Sequence, residues 1–152
     1  MRLIELLEDD AQSYKLPVSP LISPSDMLDI SNEWISYNGT HDWLRMYVDE
    51  INGLHDHGGD IYRVIFLSDI NDFDPNDLGE HWSTDSSQLD DAFDQLQAMA
   101  DPQHEMTAYL IIATIKPHSI TVPVGTVIGE PTEWEVNLIS PSAIIDYELI
   151  KW

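Results

Sequence analysis

The chain predicts an α+β fold in a single domain. Helical spacing dominates the first sixty residues, β-branched runs bounded by turn residues fill most of the remainder, and 152 residues is the length of one domain. Residues 1–60 read as a helical lobe and residues 61–152 as a mostly β core. A chain of this size, 43% hydrophobic and with five tryptophans, can bury most of its apolar surface without disulfides or a structural metal.

Taking the elements in order, Pro17, Pro20 and Pro24 punctuate an early loop, and Ser25 is placed to cap a helix carrying Leu28, Ile30, Trp34, Ile35 and Tyr37 that Gly39 ends. Leu44, Tyr47, Val48, Ile51 and Leu54 recur at three- and four-residue spacing, which predicts a second helix with Arg45, Asp49 and Glu50 turned away from its apolar face. The run His55 to Asp60 breaks it. Ile61 to Leu67 reads as a buried strand carrying one charged residue, Arg63. The acidic stretch Ser68 to Glu80 is a surface loop.

Ser87 and Asp90 approximate a capping signal for a third helix, whose stripe of Leu89, Ala92, Phe93, Leu96 and Ala100 should lie on a sheet before Pro102 stops it. Met106 to Ile115 is too continuously apolar for a half-exposed strand and is expected in the sheet interior. Ile120 to Val124, Trp134 to Ile139 and Ala143 to Ile150 complete the strands, the last two as a hairpin-like pair.

Charge narrows the partners. With 28 acidic against 6 basic residues the formal charge is -22, a field that repels phosphate backbones and anionic lipid and attracts basic proteins. Direct nucleic-acid or membrane binding is not expected. The absence of cysteine removes a thiol nucleophile, thiolate metal sites and a disulfide framework. Met1 to Asp10 lacks the basic leader and apolar stretch of a secretory signal, so the expected location is cytoplasmic.

Several motifs fail on inspection. His55, Asp56, His57 and Asp60 offer metal-capable atoms but no convincing third and fourth ligand, so no metal is expected there. Asp72 to Asn76 begins like a calcium loop, yet Asp77 stands where glycine is required and Ser83 where the bidentate glutamate belongs. A glycine-rich phosphate loop is missing.

Three polar sites interrupt β-like contexts: Tyr62-Arg63, Trp82-Ser83-Thr84, and Glu133-Trp134-Glu135 running into Val136-Asn137-Leu138. Two residues apart on a strand, Glu133 and Glu135 share a face and could address one cationic centre. In this order the motifs resemble the arginine–serine–glutamate branch of the ADP-ribosyltransferase family, of the phage and bacterial type, over about residues 34 to 150. The resemblance implies an N-terminal helical lobe, a split two-sheet β core and NAD as co-substrate in a cleft between the sheets. It departs from the family at Val64, where glycine often follows the arginine, and at Asp85, where the family has a serine.

The activity so implied is mono-ADP-ribosylation of a protein target, at arginine in preference to asparagine. Glu135 would stabilise the positive charge that develops on the ribose as nicotinamide leaves. Ser83 would orient Glu135, Glu133 would take the proton from the acceptor or orient it, and Arg63 would contact the phosphates or ribose of the cofactor. The backbone of Val64 and the Thr84 position complete the expected NAD contacts, with Trp82 and Trp134 as walls for ring stacking. Read without the family, Arg63 is a strand arginine paired with a carboxylate, Ser83 and Thr84 are turn or cap residues, the glutamates form a solvated face, and the tryptophans are core or patch residues. The rival function is a non-enzymatic acidic inhibitor that binds a basic partner, as a nucleic-acid mimic would.

Overall fold

A computed structural model describes residues 16–38, 41–86, 89–90, 93–94, 106–123 and 135–152. The fold is α+β. Helix α1 spans Pro24–Asn38. It starts two residues earlier than a Ser25 cap predicts: the Ser23 hydroxyl accepts the Asp26 amide at 3.2 Å and the Ser23 carbonyl accepts the Met27 amide at 2.8 Å. Pro24 is thereby the first helical residue, a position where its missing N–H costs nothing. Met27, Ile30 and Trp34 form the buried stripe, and Leu28 is 50% exposed.

Helix α2, His41–His57, buries Leu44, Tyr47, Val48 and Ile51 and runs through the first three residues of the expected breaker. Its end is set by Gly58 and Gly59, at φ 70° and 138°, with the Gly58 amide closing onto the Leu54 carbonyl at 2.9 Å. Trp34 stacks on Tyr47 at 6.1 Å between ring centroids, joining the two helices.

Six strands follow: β1 Gly59–Leu67, β2 His81–Ser83, β3 Thr107–Ile115, β4 Ile120–Thr121, β5 Glu135–Leu138 and β6 Ile144–Lys151. They form one antiparallel sheet in the order β4-β5-β2-β1-β3-β6, and no second sheet is present among the described residues. The strand β1 holds the sheet together by pairing with β2 on one side and with all of β3 on the other.

The expected C-terminal hairpin is corrected. β5 pairs with β2 and β4, whereas β6 pairs with β3 at the opposite edge. A 3-10 turn at Pro141–Ala143, opened by the Ser140 side chain, redirects the chain between them. Its separation from β5 lets β6 cover the flank of the long strand β3, which would otherwise be an apolar edge.

The pleat divides the sheet. Ile61, Trp82, Ile111, Ala113, Ile115, Val136 and Leu138 join the helix residues in one core, each fully buried valine or isoleucine contributing about 1.5–3 kcal/mol. On the other face Val64 is buried, and Phe66 packs on Phe93, which stacks on Trp152 at 5.2 Å. Residues 93–94 are helical, so the described part of the expected third helix does lie on the sheet; its Ser87 cap falls outside the described residues. Among the described residues no helix is long and apolar enough to cross a membrane.

Candidate functional site

The three strands that carry the sequence motifs are neighbours. Ser83 lies opposite Tyr62 on β1 and opposite Glu135 on β5, so Tyr62, Ser83 and Glu135 share one face of the sheet. Arg63, one residue along, faces the other way: it is paired with the buried Ile111 and lies on the same side as Ile61. The structure thus brings Ser83 and Glu135 together and turns the Arg63 side chain from them. Glu133 and Trp134 lie outside the described residues.

Arg63 has a different environment from the one expected. Its Nη1 donates to the His81 carbonyl at 3.3 Å, and the guanidinium lies against Gly79, whose φ of 94° and missing side chain make room for it. Burial lowers the guanidinium pKa, and the nearby Asp77 opposes that shift. Val64 pairs with Leu110, its side chain buried.

Trp82 is 1% exposed and donates its indole N–H to the Gly79 carbonyl at 2.9 Å, so it is a core residue and not a wall for a ligand ring. The Ser83 hydroxyl donates to the Asp85 carbonyl at 3.1 Å and accepts the Asp85 amide at 3.3 Å, the turn role that serine fills at strand ends. Capping and proximity to Glu135 coexist at this residue.

Glu135 is the best-positioned carboxylate of the site. With its side chain 18% exposed, its Oε1 lies 2.8 Å from Nδ1 of His81, an ion pair whenever the imidazole is protonated. The same Nδ1 is 2.8 Å from Oδ1 of Asn137, directly opposite on β5. Behind the strand, the Tyr47 hydroxyl donates to the Glu135 carbonyl at 3.0 Å, so α2 fixes the backbone from which the carboxylate projects. Burial first, and then Glu135 and Glu50, raise the Tyr47 pKa, which keeps its hydroxyl a donor.

Two members of this cluster were not legible as site residues. His81 occupies the alternate position before Ser83, and the period of two on β2 was the available signal. Glu50, expected to point away from the apolar face of α2, is instead half-buried beside Asp85 and hydrogen-bonded to Thr84, itself 7% exposed. Burial, and then the like charge of Asp85, push the Glu50 carboxyl up to about 7 against the partial relief of the Thr84 hydrogen bond. Tyr62 is raised by its own burial and by Asp60, Glu50 and Asp85.

Around the end of β2 lie two polar clusters, Glu135 with His81 and Asn137 on one face of the sheet, and Glu50 with Thr84 beside α2, each with groups that general acid–base chemistry uses. A separate cavity of about 260 Å³ lies between the 75–79 loop and β6, lined by Leu78, Gly79, Ile144 and Tyr147 among others, and does not include Ser83 or Glu135. Comparison of the chain with known protein families, with characterised proteins and with solved structures gives no match.

Proposed function

We propose that the chain is an NAD-dependent mono-ADP-ribosyltransferase acting on a protein target, with arginine as the acceptor. The observation that carries the reading is the placement of Ser83 directly opposite Glu135 on adjoining strands, beside the strand that bears Arg63. Cleavage of the bond between nicotinamide and ribose leaves positive charge on the sugar. A carboxylate held in place before that charge appears stabilises the transition state more than the ground state. Glu135 takes this role, its carboxylate oriented by His81 and its backbone by Tyr47. Ser83 shares the face of Glu135 on the adjoining strand, and Glu133 receives the proton of the acceptor. Arg63 enters as a positioning residue: by gripping the His81 carbonyl it holds the strand from which the imidazole reaches Glu135.

Incubation with labelled NAD and a cell lysate tests the reading, following label on protein separately from released nicotinamide. Glu135→Gln should reduce both by at least about 100-fold, the scale of one lost electrostatic contact in a transition state. Transfer undiminished in that variant would refute the assignment.

A second reading is favoured by the turn of Arg63 away from Glu135 and by the charge of -22. In it the acidic surface occupies a basic groove on a partner without chemistry. It expects salt-sensitive binding to a basic protein that Glu135→Gln leaves intact, and no release of nicotinamide.

A further inference from the structure

We propose that His55, Asp56 and His118 form a zinc-binding site that clasps the end of α2 to the turn between β3 and β4. In the sequence the two histidines of residues 55–57 lack a convincing third and fourth ligand. The fold supplies one from sixty-three residues away: His118 Nδ1 lies 3.3 Å from Nε2 of His55. Ligand atoms of His55, Asp56 and His118 all lie within 4.8 Å of one another.

The spacing fits the ion. Two nitrogens on a tetrahedral zinc, each about 2.0–2.1 Å from the metal, stand about 3.3 Å apart, so the two imidazoles already span one edge of the polyhedron. The Asp56 carboxylate closes a third corner by a small rotation of an exposed side chain, and the fourth is open to water. Two imidazoles and a carboxylate, with no thiolate in the chain, suit zinc better than a soft monovalent metal or a hard oxygen-seeking one.

The backbone holds the arrangement before any ion enters. The His118 amide donates to the His55 carbonyl at 2.7 Å, and His118 adopts φ 62°, the left-handed region that a histidine seldom occupies. The two rings meet edge to face with centroids 4.8 Å apart. Beyond its contact with His118, His55 keeps Nδ1 buried with no hydrogen-bond partner among the described residues. Coordination would give Nε2 of His55 and Nδ1 of the exposed His118, which now face each other, a strong common partner.

The test uses the untagged protein after removal of metal with a chelator. Titration with Co²⁺ should produce the visible absorption bands of a tetrahedral nitrogen and oxygen site, saturating at one ion per chain and erased by Zn²⁺, and Zn²⁺ should raise the melting temperature. His118→Asn and Asp56→Asn should each weaken binding by more than about 10-fold, the loss that even outer-shell partners of a metal produce. His57→Asn should leave binding unchanged. Circular dichroism of the metal-free variants checks folding, and should His118→Asn not fold, the exposed Asp56 carries the comparison alone. Wild-type protein with neither cobalt bands nor a thermal shift overturns the proposal, and so does equal weakening by His57→Asn.

Discussion

Gly79→Ala probes the contact by which Arg63 is accommodated. A Cβ at this position would overlap the Arg63 guanidinium, and the backbone φ of 94° disfavours any side chain. The backbone term is worth about 1–2 kcal/mol. The guanidinium lies at the end of a flexible chain and can move aside, but in doing so it loses the 3.3 Å hydrogen bond to the His81 carbonyl, worth about 1 kcal/mol. Together the losses come to about 2–3 kcal/mol, which for a chain of this length lowers the melting temperature by about 4–12 °C. A double-mutant cycle separates the two parts. In an Arg63→Ala background Gly79→Ala should cost only the backbone term, leaving a coupling of about 1 kcal/mol, read from urea or thermal unfolding of the four proteins. Coupling below about 0.5 kcal/mol would refute the idea that Gly79 is small on account of Arg63.

Trp82→Ala should destabilise by about 3–5 kcal/mol, since it empties a fully buried site and strands the Gly79 carbonyl, and chemical denaturation would read it. Tyr47→Phe should cost about 1 kcal/mol through the lost bond to the Glu135 carbonyl, with a fall in NAD cleavage larger than any change in NAD binding. Glu50 has a direction in pH: its carboxyl is raised from 4.5 to about 7, so the folded state holds a proton that the unfolded state has released between those values. Stability from this group is present below the lower value and is lost as pH climbs to the upper one. Glu50→Gln should therefore match the wild type near pH 4 and exceed it at pH 8, and equal melting curves at pH 8 would contradict the shift.

What the sequence by itself determined was set by local periodicity and chain punctuation. The spacing of Leu44, Tyr47, Val48 and Ile51 identified the buried face of α2, the unbroken apolar run identified β3, and the alternation over Trp134 to Ile139 identified the strand that runs Glu135–Leu138, because each depends on residues a few positions apart. The α+β order followed from the same signals. Partnerships between distant segments were another matter. The hairpin expected of the last two strands failed because proximity in sequence does not say which edge of a sheet a strand joins; β6 went to β3, the long strand with a flank to cover.

Arg63 was recognisable as an oddity but its direction was not. Ile61 and Ile65 on one side and Val64 and Phe66 on the other make both faces of β1 apolar, so alternation could not say which face the arginine shared, and only register with β2 and β3 decided it. The same holds for the half-buried Glu50 and for His118, whose polar character at an exposed turn carried no hint of His55. Tertiary structure alone decided these meetings, since a contact across sixty residues is fixed by how the sheet and helix pack and leaves no trace in the spacing of either segment.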